Sequence, residues 1–101
     1  MTANHLVLAG TVIRARRFNS PAGIPHCVIQ LEHRSQRFEA ELPRNVYCLI
    51  QVVMSGKHFE CIADKLKAGV EIQVQGFIAL QQNRNGQSRL VLHAENVELK
   101  T

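Results

Sequence analysis

The chain is poor in aromatic residues: they make up 5% of it, with no tryptophan, one tyrosine and four phenylalanines. A surface that works by ring stacking has few side chains to draw on. Its three cysteines, Cys27, Cys48 and Cys61, are odd in number, far apart and form no C-x-x-C pair. That arithmetic excludes a disulfide framework and a structural zinc site, and predicts reduced thiols, mostly buried as small apolar groups. No apolar run approaches the roughly 20 residues that a membrane-spanning helix needs. The opening Met1-Thr2-Ala3-Asn4-His5 lacks the basic region and apolar stretch of a signal peptide, so a cytoplasmic protein is expected.

Catalytic chemistry is also missing. None of the eight acidic residues forms a spaced pair suited to general acid–base work. His26 and His33 fall on opposite faces of one strand-like run, and Cys27 beside His26 has the same problem, so no metal site is expected. There is no G-x-S-x-G and no G-x-G-x-x-G, and Gly56-Lys57 lacks the rest of a phosphate loop. The expectation is a binding protein, not an enzyme, with no cofactor.

What the chain does have is 101 residues, 46% hydrophobic, a size and composition suited to one domain spanning 1–101. Net charge is +4, which favours a polyanionic partner. The cations gather at the ends of strand-like runs: Arg14, Arg16 and Arg17, then Arg34 and Arg37, then Arg44. Arg84 and Arg89 flank a glycine-containing turn.

Most of the chain reads as strand. Residues 5–18 are β-branched and aliphatic, with Gly10 mid-run where a bulge or bend would sit. Residues 19–25 have turn composition. Cys27, Ile29, Leu31 and His33 alternate inward, 35–43 reads as a polar loop, and 44–54 is a third strand. There Cys48, Ile50, Val52 and Met54 share one face, and Tyr47, Leu49, Gln51 and Val53 the other. Phe59, Ile62, Ala63 and Leu66 have helical spacing, with Ser55 as cap and Gly69 beyond the end. Strand four, 70–80, presents Val70, Ile72, Val74, Ile78 and Leu80 on one face around Gly76. Asn85-Gly86 marks a hairpin. Strand five, 89–99, buries Leu90, Leu92 and Ala94, then switches phase to Val97 and Leu99, which implies a bulge near Glu95.

Five strands with one short helix between the third and fourth is the arrangement of the all-β OB-fold barrel. Such barrels hold single strands across strands two and three, flanked by the loops between strands one and two and between four and five. Arg34 and Arg44 at the adjoining ends of strands two and three, Tyr47 on the third, and Arg84 and Arg89 at the last loop are the candidate DNA-binding residues. With so few rings, binding should lean on arginine and be salt-sensitive. A general single-stranded DNA-binding protein, a protein-interaction adaptor and an RNA-binding domain are the competing readings.

Longer stretches carry a resemblance. Leu6-Val7-Leu8-Ala9-Gly10-Thr11-Val12, Ser20-Pro21-Ala22-Gly23-Ile24-Pro25-His26-Cys27, Leu31-Glu32-His33-Arg34-Ser35, Val74-Gln75-Gly76-Phe77-Ile78, Asn85-Gly86 and Leu92-His93-Ala94-Glu95 resemble, in register over essentially the whole chain, the primosomal replication protein N (PriB) family. The resemblance implies a homodimer that joins the PriA helicase and DnaT on single-stranded DNA during replication restart. By position, Arg34, Tyr47, Arg84 and Arg89 match its basic or aromatic DNA contacts. Tyr47 stands where the best-known members have Trp, Leu42 where they have Phe and Gln82 where they have Lys. The last two departures each remove a DNA-binding element, so weaker DNA binding is expected here.

Overall fold

The computed structural model describes residues 2–100. Five strands form: β1 (Leu6–Asn19), β2 (Pro25–Glu39), β3 (Leu42–Ser55), β4 (Glu71–Gln82) and β5 (Ser88–Leu99). They close into a barrel in the order β1-β2-β3-β5-β4. All pairings are antiparallel except that of β3 with β5, where Gln51, Val52 and Val53 lie beside Val91, Leu92 and His93. A period-two pattern puts alternate side chains on opposite faces. Here it points Ile29 and Leu31 of β2, Val52 and Met54 of β3 and Ile72 and Val74 of β4 into the core, each 1% exposed or less. Burying an aliphatic side chain of that size contributes roughly 1.5–3 kcal/mol, and this shared interior holds the strands in register.

Two bulges set the curvature. In β5, Ala94 and Asn96 oppose Gly76 and Gln75 of β4, leaving Glu95 as the extra residue and accounting for the phase switch in the sequence. In β1, the register slips between Val12 and Arg14, so Ile13 is the extra residue. An inserted residue reverses which side chains face outward. Val12 is therefore fully buried while Arg14 and Arg16 point out. The mid-strand glycines are required by close approach: a Cβ on Gly10 would lie 2.4 Å from the Glu32 carbonyl oxygen, and one on Gly76 1.9 Å from that of His93.

Residues 35–43 are not a loop. β2 and β3 stay paired to Glu39 and Leu42, and the reversal is only Ala40-Glu41. This end of the hairpin extends past the barrel, both its faces are wet, and its polar sequence offers no inward pattern to read. The β4–β5 hairpin projects likewise, so the paired Leu80 and Leu90 are 70% and 47% exposed instead of buried.

The helical segment is shorter than its spacing suggests. A 3-10 turn, Lys57–Phe59, runs into a single α turn, α1 (Glu60–Ala63). Phe59, Ala63 and Leu66 are buried and plug the barrel. Ser55 belongs to β3 and caps nothing; its hydroxyl lies 2.8 Å from Nδ1 of His26. Gly69 has the left-handed backbone anticipated for it (φ 94°), but lies six residues beyond the helix. Of the thiols, Cys27 is buried, Cys48 half-buried and Cys61 exposed, so only one follows the expectation fully.

Candidate nucleic-acid interface

The pleat that buries Cys27, Ile29 and Leu31 turns Val28, Gln30, Glu32 and Arg34 of β2 outward. Opposite them on β3 stand Val53, Gln51, Leu49 and Tyr47. The Ile13 bulge brings Arg14 and Arg16 onto this same face, beside Gln30 and Val28. Arg89 enters from β5 and donates through Nη1 to Oε1 of Gln51 at 3.1 Å. Arg14 and Arg16, Val28 and Gln30, Leu49 and Gln51, and Arg89 with Leu90 line a groove of about 580 Å³ running across β1, β2, β3 and the start of β5. Its floor is apolar, with Val28, Leu49 and Leu90, and its walls carry Arg14, Arg16 and Arg89 with Gln30 and Gln51. No carboxylate lines it. Such a groove offers three cations to phosphates, two amides to base edges and an apolar floor to rings.

Further along the face, Arg34 and Tyr47 are cross-strand partners. The guanidinium carbon sits 4.7 Å from the ring centroid, an exposed cation–π contact. The Tyr47 hydroxyl donates to Oε2 of Glu32 at 3.1 Å. That hydrogen bond stabilises the neutral phenol and holds its pKa above the ordinary tyrosine value. Tyr47 is 54% exposed, and the Arg34 guanidinium covers one side of its ring.

Three of the five residues singled out from sequence thus share the face: Arg34, Tyr47 and Arg89. Arg44 does not. It pairs with Arg37, three residues from Tyr47 and so on the reverse face of the hairpin, where its Nη2 lies 3.0 Å from Oε1 of Glu39. Arg84 stands apart from the groove at the exposed tip of the β4–β5 hairpin, in a turn tied by Asn83 Oδ1, which accepts from the amides of Asn85 and Gln87.

Arg14 and Arg16 were missed as site residues. In unbroken alternation they share the phase of the buried Val12, and only the bulge turns them out. The clue in the sequence is that phase conflict itself: two arginines on an otherwise apolar register. Arg16 also lies 5.4 Å over the ring of Phe18, which stacks on His26. Among the described residues no cluster of three or more His, Cys, Asp or Glu side chains could hold a metal ion.

A closed five-strand barrel with a cationic outer groove and a plug between β3 and β4 is an OB fold. A family model described as "another single-strand binding protein family" matches residues 4–96. The replication restart protein PriB of Shewanella piezotolerans is 71% identical over 101 residues, which is all of both chains. The solved PriB of Ralstonia solanacearum superposes with a TM-score of 0.80 at 25% identity, covering 99% of this chain and 100% of that one. The single-stranded DNA binding protein of Thermus aquaticus superposes at 0.82 with 23% identity, covering 98% of this chain and 50% of that one, a likeness of fold alone. The chain belongs to the replication restart PriB family, and it is not an enzyme.

Proposed function

We propose that this chain, as one binding domain, holds single-stranded DNA along the outer face of β1, β2 and β3. In that capacity it acts in replication restart, joining the PriA helicase and DnaT on the exposed strand. The observation that carries the reading is the groove: three arginines from two separate strands converge on an apolar floor with no carboxylate among them. A folded single strand would lay phosphates on Arg14, Arg16 and Arg89 and a base on Tyr47. Homodimerisation, through apolar side chains left on outer strand faces such as Val7 (47% exposed) and Phe77 (39%), fits the same role. So does a cytoplasmic location; no described helix is long and apolar enough to cross a membrane.

The test is binding of labelled oligo-dT and of duplex DNA at two salt concentrations. Tight, salt-sensitive binding of the single strand with weak binding of duplex is expected. Absence of oligo-dT binding at low salt would favour the second reading, a protein-interaction adaptor. One feature supports that alternative: Phe38 and Leu42, 79% and 67% exposed, sit at the β2–β3 hairpin tip where a protein partner could reach them.

A further inference from the structure

The outward face of β2 and β3 carries a single carboxylate, Glu32, and it sits among the residues proposed to meet DNA. Its Oε2 accepts the Tyr47 hydroxyl at 3.1 Å. Its two oxygens lie 3.4 and 3.5 Å from Nε and Nη2 of Arg34. Arg34 in turn covers one side of the Tyr47 ring. The three side chains close a triangle in which the acid touches both others.

The members are not equally fixed. The Glu32 side chain is 25% exposed and anchored by the phenol, whereas Arg34 is 71% exposed and held at the long limit of hydrogen bonding. An arginine edge that meets a carboxylate through Nε and Nη2 is the edge that would meet a phosphate. A base cannot stack on a ring face that a guanidinium already occupies.

We infer that Glu32 is a positioning residue that stands in for a phosphate in the free protein. It parks Arg34 over Tyr47, and an incoming strand must displace that contact before both residues can engage it. The inference rests on the single-strand-binding reading. It has a consequence for salt dependence: Arg34 and Glu32 sum to zero charge, so the pair adds no net cation to the groove. Glu32→Gln keeps the shape and an acceptor for Tyr47 while freeing the charge of Arg34.

Oligo-dT binding should be titrated against salt for the parent, Glu32→Gln, Arg34→Ala, the double variant and Glu98→Gln. Glu98 opposes Gln73 on the β4–β5 seam, outside the groove. Glu32→Gln is expected to bind about twofold to fivefold more tightly at low salt, the range of an exposed ion pair. The slope of log affinity against log salt should steepen by about 0.7. Neither change should appear in Glu98→Gln, and the gain should vanish in the Arg34→Ala background. Weaker binding by Glu32→Gln, an equal gain in Glu98→Gln or a gain that survives without Arg34 would each overturn the role. If neither parent nor Glu32→Gln binds oligo-dT at low salt, the single-strand reading fails with it. Tyr47 is the only tyrosine and there is no tryptophan. Absorbance titration of the phenol therefore reads the Glu32 bond directly, and its midpoint should fall in Glu32→Gln; an unmoved midpoint would also overturn the inference.

Discussion

Arg89 and Gln51 join the two strands that close the barrel: Nη1 of the first donates to Oε1 of the second at 3.1 Å, beside the parallel pairing of β3 with β5. The barrel seam is therefore also a wall of the groove. An amide orients the guanidinium without neutralising it, so the charge of Arg89 stays available to a phosphate. Arg44 is the contrasting case, turned to the reverse face and held against the carboxylate of Glu39.

That contrast sets a prediction for four arginines. For single strands each phosphate contact contributes about 0.7 to the slope of log affinity against log salt. Arg14→Ala, Arg16→Ala and Arg89→Ala should each flatten the slope by about that amount in oligo-dT titrations. Arg44→Ala should leave it nearly unchanged. A flattening by Arg44→Ala equal to the others would put the strand on the wrong face of the hairpin.

Tyr47 separates stacking from charge. Tyr47→Ala removes a ring and no cation, so affinity should fall by about 1–3 kcal/mol per base stacked, with the salt slope unmoved. Tyr47→Phe keeps the ring and should retain most of the affinity. Equal losses in both variants would show that the hydroxyl, not the ring, is what matters.

Much of this architecture was legible in the sequence because barrel strands have a wet side and a dry side. Ile29, Leu31, Val52 and Met54 declared their face by alternation, and Glu95 announced its bulge by a change of phase. What failed did so where that contrast is absent or broken. Residues 35–43, and Leu80 with Leu90, belong to hairpin ends that leave the barrel, where neither face is dry. Arg14 and Arg16 were hidden by a one-residue bulge, and Arg44 was placed with Arg34 at the adjoining ends of strands two and three although parity puts it on the face opposite Arg34 and Tyr47. Cross-strand geometry decided the site: Arg34 with Tyr47 from β2 and β3, and Arg89 with Gln51 from strands that meet only on closure.

The thiols should differ in chemistry as they differ in burial. Iodoacetamide should label exposed Cys61 first, half-buried Cys48 next and buried Cys27 last, read by mass spectrometry of the native protein. Burial pushes the Cys27 thiol pKa up, partly offset by the positive charge of Arg17. A raised folded-state pKa favours the protonated form, so its contribution to stability is complete below the ordinary thiol value. It is lost as pH climbs through the folded-state value. Urea midpoints should therefore drop as pH rises above the ordinary thiol value, and Cys27→Val should show a smaller drop. An identical drop in the variant would assign the alkaline loss to other groups.

The β2–β3 reversal offers the most direct test of the hairpin that the sequence concealed. Glu39 pairs with Leu42, so only Ala40 and Glu41 make the turn, with φ of 52° and 66°. Both lie in the left-handed region, where a residue with a Cβ costs roughly 1–2 kcal/mol and glycine or asparagine little. A two-residue turn with positive φ at both positions matches the right-handed twist of its strands and favours Asn-Gly. Replacing Ala40→Asn and Glu41→Gly together should stabilise the protein by about 1–2 kcal/mol, read as a higher urea midpoint. The salt slope of oligo-dT binding should stay fixed, since no groove arginine moves. Were 35–43 an open loop instead, the added glycine would only loosen it, and stability would fall.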